Sequence, residues 1–186
     1  MRRIVPAGLL LVVLVGPALA AEGPLPPLPE KARHRYVLMT DIGGDPDDMQ
    51  SMVRFLLYAC DIEVEAMCTG LGWGHDRDTR PELIRERVEA YGKVVNNLRK
   101  HRPDYPSERT LLDLIKDGRD TDKHEVGPGK DSEASDWIVQ VLERKDPRPV
   151  WFGIWGGPRE LAQAVWKISE TRSVEEAKRL KAKIRV

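Results

Sequence analysis

Cysteine is scarce in this chain. Cys60 and Cys68 are the only two, and geometry argues against a bond between them. If Cys60 closes a helix and Cys68 closes the strand that follows, an extended run of about 3.3 Å per residue separates them by about 20 Å, whereas a disulfide spans at most about 7 Å between Cα atoms. Two buried thiols are expected instead, since free cysteine behaves as a small hydrophobe. An excess of one charge is also missing. The chain balances 30 Lys and Arg against 30 Asp and Glu and has no basic block, which argues against nucleic acid as a partner. The apolar run from Gly8 to Val15 falls well short of the roughly 20 residues that cross a bilayer. It follows Arg2 and Arg3 and precedes Pro17 and the small-residue site Ala18-Leu19-Ala20. That is the pattern of a signal peptide over residues 1–20, cut after Ala20, and it implies a secreted or periplasmic protein with no stable membrane anchor after cleavage.

What is present reads as a tether followed by one domain. Residues 21–32 are proline-rich and lack helical or strand periodicity, as in an extended linker. From residue 33 to residue 186 the composition is that of an ordinary globular protein. Tyr36 to Met39 is a short apolar run entering an Asp/Gly cluster, the pattern of a strand buried on both faces. Met49, Met52, Val53, Leu56 and Leu57 then fall on one face of a helix, and Ile62 to Thr69 reads as a second strand. This βαβ unit makes the two strands parallel neighbours. Helical spacing recurs over Pro81 to His101, Leu111 to Lys116, Ala134 to Arg144, Arg159 to Ile168 and Val174 to Ala182. The stretch from Asp117 to Lys130 reads as a surface loop, Pro149 to Trp155 as another strand, and Ile184 to Val186 as the opening of one more. The expected fold class is α/β, a doubly wound and mainly parallel sheet.

Chemistry concentrates in Thr40-Asp41-Ile42-Gly43-Gly44-Asp45-Pro46-Asp47-Asp48. Four carboxylates lie at the carboxyl end of the first strand, where open α/β sheets place their ligands. Asp45 alone has a structural explanation, as an N-cap ahead of Pro46. The full set exceeds what capping and the helix dipole require. Crowded carboxylates repel, and a cation or raised pKa values must relieve them. Oxygen ligands without nearby cysteine or paired histidine select a hard ion such as Ca²⁺ or Mg²⁺.

These residues resemble the N-terminal signature of nucleoside hydrolases, D-x-D-P-G-x-D-D. The resemblance is closer to a branch of that superfamily, the nucleoside hydrolase-like domain of cellulose-binding proteins, in Thr40 to Gly43, Pro46 to Asp48 and Gln50-Ser51. Trp155-Gly156-Gly157-Pro158 with Leu161-Ala162-Gln163-Ala164 is similar to a second segment of the same family. The resemblance implies hydrolysis of an N-glycosidic or glycosidic bond by a cation-activated water, with a nucleoside or carbohydrate as substrate. By the same resemblance Asp47 would hold the sugar. Ca²⁺ would be held by Asp48, Asp41, Asp45 and the backbone carbonyl of Trp155, and Asp41 or Asp45 would be the catalytic base. The signature's middle aspartate is replaced by Gly43, and Asp45 stands where the family has glycine.

Three further residues are candidates for the site. His75 is either a general acid or a solvated loop histidine, and Trp73 in the same loop is a stacking platform for a sugar or base. Trp155 ends its strand and is the better candidate for a substrate contact, while core packing is the default for Trp151 and Trp155 alike. A non-catalytic carbohydrate-binding module on the same fold stands as the rival function, favoured by Gly43. A receiver-type phosphoacceptor domain ranks behind both. Members of the family continue beyond the stretch matched here, so a C-terminal portion is expected to be missing, and little nucleoside turnover is expected from this stretch alone.

Overall fold

The computed structural model describes residue 29 and residues 33–72, 77–121 and 124–186. The signal peptide and nearly all of the linker expected from the sequence lie outside the described residues, as do Trp73 and His75. Strand β1 (His34–Thr40) forms where the sequence is apolar on both sides of the pleat, and Val37, Leu38 and Met39 are essentially sealed from solvent. Its neighbours are β2 (Ile62–Thr69) and β4 (Val150–Ile154), both parallel to it. With β3 (Ile115–Lys116) beyond β2 and β5 (Ile184–Arg185) beyond β4, the five strands run in the order β3-β2-β1-β4-β5, each pair parallel.

Alternate side chains of these strands feed two cores. Leu38, Met67 and Ile115 pack with helices α1 (Asp47–Leu57), α2 (Pro81–Leu98) and α3 (Glu108–Asp113) on one face. Val37, Met39, Cys68, Val150 and Phe152 pack with α4 (Glu133–Glu143), α5 (Arg159–Thr171) and α6 (Val174–Lys181) on the other. Helices on both faces of a parallel sheet define the doubly wound α/β class, as expected. Among the described residues no helix is long and apolar enough to cross a membrane.

The structure corrects several local expectations. The run from Leu111 to Lys116 is not one helix: α3 starts earlier, capped by the Ser107 side chain on the Thr110 amide, and Ile115–Lys116 pairs with Met67 and Cys68 as an edge strand. Helix α1 is rotated from the predicted face. Phe55 joins Met52 and Leu56 in the core because its ring packs on those of Tyr36 and Trp155, which leaves Val53 and Leu57 exposed. Asp45 does not cap α1. Pro46 holds that position without a side-chain bond, and the Asp45 carboxyl instead hydrogen-bonds the Asp47 carboxylate. Trp151 is not a core residue. It is 41% exposed with its ring edge against His34 at 5.8 Å, because α1, α2 and α3 cover β1, β2 and β3 but not this face of β4. Cys60 and Cys68 are buried and unbonded, in agreement with the strand-length argument.

Candidate functional site

In a doubly wound sheet, ligands bind where loops from adjacent strands diverge to opposite faces. Here that place is the carboxyl end of β1 and β4: the chain leaves β1 for α1 on one face and leaves β4 for α5 on the other. The loops are tied to the end of β1 by two backbone bonds. The Gly70 amide donates to Thr40 O and the Trp155 amide to Met39 O, both at 2.9 Å.

Asp41 is the first residue past β1, and its carboxylate fills a slot between two glycines from the neighbouring loops. A Cβ on Gly72 would lie 1.7 Å from Asp41 Oδ2, and one on Gly156 would lie 1.9 Å from Oδ1. Both positions must therefore be side-chain-free for Asp41 to point where it does. Next to it stands Asp48, buried in the first turn of α1, which accepts a hydrogen bond from the Thr40 hydroxyl. Burial pushes the Asp48 carboxyl above its ordinary pKa, the Thr40 bond opposes this, and the charges of Asp41 and Asp47 together with a hydrogen bond to the Asp41 carboxyl push it further up. Asp41 and Asp48 thus form a contacting carboxyl pair, of which Asp48 is the buried member pushed towards its protonated form.

Asp45 and Asp47 form a second pair, fully in solvent. The hydrogen bond from Asp45 to Asp47 raises the Asp45 pKa and lowers that of Asp47, and the Asp47 carboxylate also accepts the Asp48 amide at 2.9 Å. Gly43 adopts φ +92°, a left-handed conformation that glycine tolerates without a Cβ penalty. Its carbonyl accepts the Arg80 guanidinium, and a Cβ there would meet Leu83 Cδ1 at 2.7 Å. Glycine at this position is favoured by the backbone angle, and any side chain would also have to displace the ends of Leu83 and Arg80. Trp155 is partly buried with its ring at 6.0 Å and 89° to that of Phe55, so much of its surface is spent on α1.

A cleft of about 600 Å³ opens beside this loop, with Leu71, Gly72, Val126, Gly157 and Pro158 as mostly apolar walls and His124 at its edge. Gly72 links the two features, since it lines the cleft and also abuts Asp41. The outer wall belongs to the long loop after β3, held by buried polar residues of α5. Arg159 donates to Glu125 O and Lys130 O and pairs with Glu160 at 2.9 Å. Glu160 accepts the Arg119 amide and the Ser132 hydroxyl, and the Gln163 amide group bonds both the N–H and C=O of Gly127. Asp117, at the end of β3, accepts the hydroxyls of Thr69 and Thr79. The sequence reading passed over His124, Arg159, Glu160 and Asp117. Nothing in a helix's first turn marks Arg159 and Glu160 as buried, and nothing in a polar loop marks Asp117 as a hydrogen-bond hub or His124 as lining a cleft.

Residues 35–186 match the family model for the cellulose-binding Sde182, nucleoside hydrolase-like domain. The chain belongs to this family. A solved structure described as a nucleoside hydrolase-related hypothetical protein from Saccharophagus degradans, associated with carbohydrate metabolism, is 37% identical with a TM-score of 0.77. The match covers 83% of this chain and 38% of that one, so the present sequence spans well under half the length of its structural relative. No curated protein matches.

For this Sde182-type, nucleoside hydrolase-like chain, the Ca²⁺ implied by resemblance can be tested against the donors in place. Among the described residues no group of three or more His, Cys, Asp or Glu side chains is arranged to hold a metal. Gly43 brings no carboxylate, Asp45 and Asp47 are bonded to each other in solvent, and Asp41 and Asp48 remain as a pair. Calcium takes roughly 6–8 oxygen ligands. The described residues do not fit it.

Proposed function

We propose that this chain recognises a carbohydrate at the carboxyl edge of its sheet, with the Asp41–Asp48 pair holding adjacent sugar hydroxyls and the apolar cleft beside Gly72 receiving the rest of the ligand. The observation that carries the reading is the placement of that pair at the divergence of the β1 and β4 loops, with Gly72 standing between Asp41 and a cleft. Hydrogen bonds from hydroxyls to a carboxylate are roughly twice as strong as neutral ones. Apolar walls with few polar groups are the usual make-up of a small-molecule site. The cellulose-binding description of the family and the carbohydrate association of the structural relative support the same substrate class.

Hydrolysis of the glycosidic or N-glycosidic bond is the second reading, favoured by the raised pKa of Asp48. A carboxyl whose proton is held more tightly than usual, hydrogen-bonded to a second carboxyl, is a candidate general acid for such a reaction. Calorimetry on the full chain decides between the readings, with cello-oligosaccharides and nucleosides titrated in the presence of calcium or a chelator and product release followed in parallel. Chelator-indifferent sugar binding that is lost in Asp41→Asn supports recognition. Turnover lost in Asp48→Asn supports hydrolysis. Undiminished binding in Asp41→Asn removes the acidic pair from both.

A further inference from the structure

The opposite edge of the sheet carries a second cleft of about 520 Å³ at the amino ends of β4 and β5. Its lining has five cationic side chains, Arg144, Lys145, Arg179, Lys183 and Arg185, against one carboxylate, Asp146. The carboxylate is already engaged. Arg148 grips it through Nε and Nη2 at 3.0 and 2.5 Å and holds its pKa down to about 2. Of the cations, Arg144 pairs with Glu65, and Arg179 reaches Glu176 only at 3.7 Å. Among the described residues neither Lys145 nor Arg185 pairs with a carboxylate, and Arg185 Nη1 donates to the carbonyls of Ala182 and Ile184.

Lys183 is the most telling of the set. Only 9% exposed, it gives its ammonium to two carbonyls, Leu142 O at 2.8 Å and Arg144 O at 2.7 Å, which leaves one of its three N–H donors unassigned. Burial and the like charges of Arg35 and Arg179 disfavour its charged form. Arg35, sealed in β1, pairs with Glu65 and more distantly with Asp146 at 3.8 Å and donates to Val141 O, yet keeps a buried Nη1 with no hydrogen-bond partner. A buried cation is ordinarily balanced by a partner, and this edge holds more positive charge than its carboxylates balance.

We propose that this cleft binds a compact oxyanion, the phosphate or carboxylate group of a small ligand, with Lys183 at its base and Lys145, Arg179 and Arg185 at its rim. The site is independent of the acidic pair, since it lies at the other end of the strands. The test uses calorimetry and thermal melting of the full chain at constant ionic strength, with inorganic phosphate, glucuronate, glucose and potassium chloride as separate probes. Saturable binding of phosphate or glucuronate, but not of glucose, is expected. Preference for glucuronate assigns an acidic sugar, and preference for phosphate assigns a phosphate group. The exposed pair Lys145→Ala/Arg179→Ala should weaken binding by roughly tenfold or more, the usual scale for lost charge-assisted bonds, while Asp48→Asn should leave it unchanged. A shift in melting reproduced by potassium chloride alone, or equal affinity in the double variant, would overturn the proposal.

Discussion

Thr40 offers Asp48 one hydrogen bond, whereas burial and two neighbouring carboxylates oppose its charge. Because the folded-state pKa is raised above the ordinary value of about 3.9, the sign of the linkage follows. The folded state holds this proton longer than the unfolded chain, so the contribution is fully present below about pH 4 and is lost as pH rises through the raised value. Asp48→Asn keeps an acceptor for Thr40 and removes the titration. It is expected to stabilise the protein at pH 7 by about 1.4 kcal/mol for each unit of upward shift, with the gain vanishing near pH 4. Thermal melts at both pH values check this, and an equal gain at each would contradict it. Gly43→Asp restores the signature's carboxylate in sequence only. With φ +92° and Leu83 Cδ1 at 2.7 Å from the new Cβ, it should cost about 1–3 kcal/mol and confer no calcium affinity, measured by denaturation and titration. The location of these carboxylates was legible, since an apolar strand running into Asp and Gly is a strong local pattern. Their pairing was not, because whether Asp45 caps a helix or bonds Asp47 depends on loop geometry that residue type leaves open.

At the scale of elements, helical periodicity located α1, α2, α4, α5 and α6 because each buries one stripe against the sheet. It failed at Ile115–Lys116, where two residues of strand follow a short helix and leave no period to read. It also failed at the start of α5. Arg159, Glu160 and Gln163 stand in the first turns of that helix, where charged and polar side chains ordinarily face water, yet here they are buried under the loop that walls the cleft. Removing one partner of a buried pair leaves the other uncompensated. Glu160→Ala is therefore expected to cost about 3–5 kcal/mol, with amide hydrogen exchange rising first between residues 119 and 132. Glu160→Gln, which keeps one acceptor oxygen for the Arg119 amide and offers its NH2 to the Ser132 hydroxyl oxygen, should lose less. Uniform exchange across the chain in Glu160→Ala would show that the network supports the whole fold and not this loop.

For the whole molecule, the alternation of strand and helix was sufficient to fix a doubly wound sheet, and the acidic loop lies at the carboxyl end of its first strand, as its sequence position implies. The order β3-β2-β1-β4-β5 was not legible beyond the first pair. It places the loop of β4, over a hundred residues further along the chain, beside that of β1. That arrangement brings Gly72 and Gly156 to either side of Asp41, and the result bears on how such a site can change through descent. Gly72→Ala should eject Asp41 and abolish the proposed sugar binding, but in an Asp41→Gly background the same alanine meets an empty slot and should cost almost nothing. A double-mutant cycle on stability is expected to show coupling of about 1–3 kcal/mol, and additivity would refute it. Three positions from three separate loops are then inherited as one character. A lineage that loses the aspartate is free to fill the slot, and once it has done so, a single reversion can no longer bring the carboxylate back.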